Sequence, residues 1–327
     1  MLIRSAPPVE TSTFIDVAMG KVDAVIRQRL SSRVALVDQI ANYIVSAGGK
    51  RIRPRLLLLF AEALGYRGEA RYELAATVEF IHTATLLHDD VVDESSLRRG
   101  RSTANALFGN AASVLVGDFL YSRAFQMMVS VDNMRVLSVL ADATNTIAEG
   151  EVLQLMNMHD PDLAVEDYLR VIRFKTAKLF EASARLGAIL GGADARLEEA
   201  AADYGRSLGT GFQLVDDLLD YDGHADQLGK NVGDDLREGK PTLPLLVAMS
   251  RGTDAERAVI RQAIEQGEVE RLGDIVDIVR RTGALQATRE AAEAQAGIAR
   301  SRVLAFPAGA ARDALLELCD RSIRRSS

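Results

Sequence analysis

Apolar residues recur at three- and four-residue spacing along most of the chain, the period of a helix with one buried face. In RVALVDQIANYIVSA the pattern starts behind Ser31 and Ser32, which can cap a helix, and stops at Gly48-Gly49. Pro54 suits the first turn of the next segment, RLLLLFAEALG, which Gly65 closes. The same spacing predicts helices over about 71–94, 111–130, 134–158, 163–190, 195–220, 254–266, 270–281, 285–305 and 308–325. Strict alternation bounded by turn residues, the mark of strands, is nearly absent. The expected fold class is therefore all-α, with about ten or more helices. No Pro/Gly/Ser-rich linker divides the chain, so a single domain over 1–327 is expected. Two charged stretches, 95–110 and 221–240, interrupt the helical pattern and read as loops. Loops of that size inside a compact domain often carry function.

Composition narrows the function classes. Apolar residues make up 48% and charged residues 26% of 327, which describes a globular chain. Lys+Arg number 39 against 46 Asp+Glu, a net charge of −7. That balance argues against a nucleic-acid binder that relies on a general basic surface. Cys319 is the only cysteine, so neither an intrachain disulfide nor a cysteine-rich metal site is available. A reducing compartment fits. The opening residues MLIRSAPPVETSTF lack the apolar core of a secretory signal. No apolar run approaches the roughly 18 residues of a membrane span. A cytoplasmic protein without a transmembrane segment is expected.

Two aspartate clusters carry the candidate chemistry. Asp89-Asp90-Val91-Val92-Asp93 ends an apolar helix, and Asp216-Asp217-Leu218-Leu219-Asp220 follows the apolar segment GTGFQLV. Carboxylates four apart share a helix face, where like charges repel. Two such clusters suggest that a cation balances them. Oxygen donors without His or Cys favour Mg²⁺ over Zn²⁺, and Mg²⁺ is usually held by one or two carboxylates plus substrate phosphates. Basic residues stand where a phosphate would need them: Lys50, Arg51 and Arg53 after the glycine pair, and Arg98, Arg99 and Arg101 after the first cluster. Lys175 and Lys178 lie mid-chain; Lys230, Arg237 and Lys240 follow the second cluster. His82 sits two helical turns before Asp89, on the same face. No GxxxxGK[ST] loop or GxGxxG fingerprint is present.

These blocks resemble a known family. GGKRIRP, HTATLLHDDVVDESSLRRGRST, GDFLYSRAFQ, FKTAKLF, GFQLVDDLLDYDG and GKNVGDDLREGKPTLPL, in that order over roughly 48–245, are similar to the all-trans polyprenyl diphosphate synthases. GDFLYSRAFQMM and EGEVLQLMN look like the bacterial octaprenyl branch, which supplies quinone side chains. The resemblance implies the isoprenoid-synthase helical fold, a homodimer, and more than one Mg²⁺ per active site. It implies repeated condensation of isopentenyl diphosphate onto an allylic diphosphate. Carried over by position, it gives Lys50, Arg53, His82 and Arg99 to isopentenyl diphosphate. It gives Asp89, Asp93, Asp216 and Asp220 to the metal. Arg98, Lys175, Thr176, Gln213, Lys230 and Lys240 go to the allylic diphosphate. Asp90 and Asp217 complete the catalytic clusters. Small residues at Ala84 and Thr85, before the first cluster, imply a long product. Shorter or longer products (geranylgeranyl, nonaprenyl, decaprenyl) and a non-catalytic synthase subunit stand as alternatives. A terpene cyclase is disfavoured, because it would leave the isopentenyl set without a purpose.

Overall fold

The computed structural model describes residues 9–46, 48–98, 100–222, 233–267 and 269–323. The first half runs α1 (Val9–Leu30), α2 (Ala35–Ser46), α3 (Ile52–Ala63), α4 (Ala70–Val92), a short hairpin of β1 (Leu97–Arg98) and β2 (Arg101–Ser102), α5 (Ala104–Phe108), α6 (Asn110–Ser130) and α7 (Met134–Asn157). The second half runs α8 (Val165–Ile172), a π-helical turn (Arg173–Ala177), α9 (Lys178–Leu190), α10 (Ala195–Asp222), α11 (Asp234–Arg237), α12 (Leu243–Arg251), α13 (Asp254–Gln266), α14 (Leu272–Arg281), α15 (Ala284–Val303) and α16 (Ala310–Ile323). The strands pair antiparallel, with Leu97 opposite Ser102. Among the described residues the fold is all-α apart from this hairpin.

Local chemistry explains several ends. Thr253 and Glu256 form a reciprocal capping box that starts α13, and Gly267 ends it in the left-handed conformation. Asn133 accepts from the amides of Arg135 and Val136 and so caps α7. α3 is apolar around its whole circumference from Leu56 to Ala61, the pattern of a helix enclosed on all sides. It packs against α1, α4, α9 and α16. Gly187 on α9 permits the closest of these approaches: a Cβ there would lie 2.4 Å from the Leu57 carbonyl oxygen. The main core also takes in α6, α7 and α10, with Met127 and Met128 among its buried members. A second core joins Tyr221, Leu236 and Leu245 to Ile260, Ile264, Ile275 and Val279, and so binds α11–α14 to the end of α10.

Some spans differ from the periodicity reading. Residues 9–30 also carry the helical period, with Val22, Ile26 and Leu30 buried, and form α1, which the spans above omit. The expected helix over 163–190 is interrupted by the π turn. The two charged stretches are not wholly irregular: the first contains the hairpin and α5, the second α11. α12 was missed because PLLV is a short continuous apolar run, which periodicity cannot assign to helix or strand. Among the described residues, no helix is long and apolar enough to cross a membrane.

Candidate active site

The C-terminal end of α4, the π turn and the last third of α10 converge on a cavity of about 200 Å³. Asp89, Asp93, Arg98, Lys175, Thr176, Gln213, Asp216, Asp217 and Lys240 all line it. Residues from two clusters more than a hundred positions apart thus face one space. A second, smaller cavity of about 30 Å³ adjoins it, lined by Arg51, Glu79, His82, Asp90, Arg98 and Arg101 among others. Arg98 lines both.

The first and last aspartates of the α4 cluster pair with lysines. Lys175 Nζ lies 3.8 Å from Asp89 and 2.6 Å from Glu151. Lys240 Nζ lies 3.0 Å from Asp93 and also pairs with Glu238. Lys175 reaches this position because the wider π turn adds a residue to its element, a device common at functional sites. Gly150 lets α7 approach that turn: a Cβ there would stand 2.6 Å from the Lys175 amide nitrogen. Burial first, and then the Asp89 charge, pushes the Glu151 carboxyl up to about 7.

The middle aspartates behave differently. Asp90 is fully buried and receives the Arg98 guanidinium at 2.7 Å. Burial raises its carboxyl, against the opposing pull of Arg98. Asp217, also buried, accepts from the Tyr168 hydroxyl at 2.5 Å and from the Gln213 side-chain amide at 2.7 Å. Gln213 then turns its carbonyl to Thr176, whose hydroxyl donates to it at 3.1 Å. Burial and the neighbouring Asp235 push Asp217 up to about 7. Asp220 is buried and accepts from the Asp235 amide at 3.3 Å; it does not line the cavity, whereas Asp216 does.

The smaller cavity is walled by the hairpin and by α2. The Tyr43 hydroxyl donates to the Ser102 carbonyl at 2.7 Å, and the Arg101 guanidinium stacks 4.7 Å from the Tyr43 ring centre. Arg51 enters with a left-handed backbone, φ 46°, rare for a side chain of its size. Lys50 is exposed beside it, and Arg53 stacks 4.3 Å from the Phe180 ring centre; neither lines the two cavities. Ala84 is fully buried in the main core, and the Thr85 hydroxyl donates to the His82 carbonyl. Arg99 and Lys230 lie outside the described residues.

Tyr168 has no signature in the sequence, and Glu151 and Glu238 stand inside the blocks EGEVLQLMN and GKNVGDDLREGKPTLPL without a role assigned to them. The places of Tyr168 and Glu151 are fixed by the packing of α8 and α7 beside the aspartates, and that of Glu238 by the end of α11 next to Lys240. Arg51 was visible only as one member of a charge run.

The donor set suits a hard cation, since the larger cavity offers carboxylates and no His or Cys. Among the described residues no three such groups close on one point. Mg²⁺ is usually held jointly by one or two carboxylates and substrate phosphate oxygens.

Residues 34–279 match the family model described as polyprenyl synthetase. The octaprenyl diphosphate synthase of Escherichia coli (strain K12) is 55% identical over 308 residues, covering 94% of this chain and 95% of that one. The octaprenyl diphosphate synthase of Haemophilus influenzae is 50% identical over 318 residues, covering 97% of each. A crystal structure of a polyprenyl synthase from Caulobacter crescentus, complexed with calcium and isoprenyl diphosphate, superposes with a TM-score of 0.94 at 44% identity, covering 100% of both chains. By its cavity, its fold and these likenesses, the chain belongs to the polyprenyl synthetase family.

Proposed function

We propose that this chain is a trans-prenyltransferase that condenses isopentenyl diphosphate repeatedly onto an allylic diphosphate, such as farnesyl diphosphate. We propose octaprenyl diphosphate, the precursor of a quinone side chain, as its product. The observation that carries this reading is the joined pair of cavities. One has aspartates of both clusters facing Lys175 and Lys240, and the other has Arg51, His82 and Arg101, with Arg98 between them. A single-substrate cyclase has no use for the second basic space.

In this reading Asp89, Asp93 and Asp216, with Asp220 behind them, hold Mg²⁺ together with the allylic diphosphate. Bound Mg²⁺ neutralises that diphosphate and makes it a better leaving group. Lys175, Lys240, Lys230 and Arg98, with Thr176 and Gln213, hold the allylic diphosphate and the leaving charge where it develops. Asp90 and Asp217 orient Arg98 and Gln213. Lys50, Arg53, His82 and Arg99 serve isopentenyl diphosphate, and the structure adds Arg51 and Arg101 as candidates. The allylic C–O bond breaks to a carbocation, and water-poor walls protect it. The isopentenyl double bond supplies the electron pair for the new C–C bond, and the proton then lost goes to the released diphosphate. No side-chain nucleophile is needed.

The two octaprenyl synthases of high identity support the chain length, as do the small residues Ala84 and Thr85. The calcium and isoprenyl diphosphate of the Caulobacter structure support a divalent cation with a diphosphate. We further propose a single catalytic domain, a cytoplasmic location, and a homodimer formed through the exposed apolar face of α6 and α7. That face presents Leu115, Phe125, Val129, Val152, Leu155 and Met156.

The test is to incubate pure protein with farnesyl diphosphate, isopentenyl diphosphate and Mg²⁺ and to size the products by chromatography. Octaprenyl diphosphate is expected, with synthesis stopped by EDTA. Asp89→Ala and Asp216→Ala should each lower turnover by orders of magnitude. A cyclised hydrocarbon, or elongation that persists in EDTA, would sink the reading. A shorter or longer product would correct only the length.

A further inference from the structure

The lysines facing the larger cavity share an arrangement. Each sits between an aspartate on the cavity wall and a glutamate that does not line the cavity. Lys175 is paired with Asp89 and Glu151, and Lys240 with Asp93 and Glu238. The glutamates come from unrelated elements. Glu151 lies on α7 beside Gly150, the contact point with the π turn, whereas Glu238 closes α11. In both pairs the ammonium lies nearer the glutamate than the aspartate. Both lysines are largely covered, at 17% side-chain exposure, so water replaces a missing partner poorly.

An aspartate that ligates a divalent cation shares its charge with that ion and holds a lysine less strongly. A lysine on its flexible four-carbon stem then needs another anchor to keep its direction. We propose that Glu151 and Glu238 are positioning residues, which keep Lys175 and Lys240 aimed at the diphosphate while Asp89 and Asp93 engage the cation. This rests on the reading of the cavity as a diphosphate site.

The test is isothermal titration calorimetry of the intact protein with Mg²⁺ and inorganic pyrophosphate, alongside steady-state kinetics for both substrates. Glu151→Gln keeps the shape and removes the charge. It should weaken Mg²⁺–pyrophosphate binding about three- to tenfold and raise the KM of the allylic substrate. The KM for isopentenyl diphosphate should stay within about twofold, since the second cavity is untouched. Glu151→Asp should restore part of the loss. In a Lys175→Gln background, Glu151→Gln should add nothing, because the residue it positions is gone. Glu238→Gln with Lys240→Gln repeats the cycle independently, should one pair fail to fold. Unchanged or tighter binding in Glu151→Gln and Glu238→Gln, or an equal further loss in the lysine-less backgrounds, overturns the proposal. Wild-type protein that does not bind Mg²⁺–pyrophosphate overturns the diphosphate reading itself, and the positioning role with it.

Discussion

Asp90 and Asp217 hold the same position in their clusters and meet the same environment. Each is almost wholly buried in a cavity wall, and each is tied to a polar side chain that lines the same cavity. A buried carboxyl resists ionisation, and Asp217 is pushed up to about 7 by burial and by Asp235. Between its ordinary value and about 7 the folded protein keeps this proton while the unfolded chain has released it. The unfolded state then binds fewer protons, so this group makes stability fall as pH rises through that window. The slope is at most about 1.4 kcal/mol per pH unit. Asp217→Asn should remove it. In thermal melts from pH 5 to pH 8 in EDTA, the wild type should lose more stability than Asp217→Asn, and parallel profiles would contradict the assignment. The same substitution weakens the hold on Gln213, so a drop in turnover is expected as well.

At the scale of elements, the site depends on two helices that do not carry the aspartates. α7 supplies Gly150 and Glu151, and α8 supplies Tyr168. The π turn after α8 sits against Gly150 so closely that any side chain must displace it: a Cβ would also meet the Phe174 carbonyl carbon at 2.9 Å. Gly150→Val should therefore cost about 1–3 kcal/mol by overpacking. It should also move Lys175 off its line to the cavity. Urea unfolding measures the first effect, and the KM for the allylic substrate the second. Wild-type stability in Gly150→Val would mean that α7 and the π turn separate without cost. The hairpin is held in a comparable way by Tyr43, which ties Ser102 and Arg101 to α2.

For the whole molecule, the notable surface is the apolar face of α6 and α7. Val129 is 64% and Met156 73% exposed. Scattered apolar residues on a surface are ordinary, but several on two neighbouring helices form a patch of the kind that associates. A twofold axis would bring identical faces together. If the proposed homodimer forms through this face, Phe125→Asp with Leu155→Asp should yield a monomer in sedimentation velocity, because it places two charges on each copy's face. A wild-type protein that sediments as a monomer would remove this face from the assembly. The cores divide the labour differently. The main one fixes α3, α4, α9 and α10, whereas the second seats the turn that brings Lys240 to Asp93.

The helix class, most helix spans and the two aspartate clusters were legible in the chain itself, because each depends on residues close in sequence. A period of 3.6 shows over fifteen residues, and DDxxD spans five. The family resemblance extended this to the basic residues, since Lys175, Lys240 and His82 stand in recognisable blocks. Other features needed the tertiary structure. Periodicity did not foretell a π turn at 173–177, because an extra residue in one turn leaves the apolar pattern nearly unchanged. The spacing of DDxxD does not tell which aspartates are almost wholly buried and which stay partly exposed at the cavity. That difference comes from Arg98 and Tyr168, which other segments carry to Asp90 and Asp217. The role of Glu151 was unreadable for the same reason: its carboxylate meets Lys175 only when α7 packs on the π turn, and local sequence does not encode that distance. Glu238 stands two residues before its partner Lys240, but the aspartate that shares this lysine, Asp93, comes from α4.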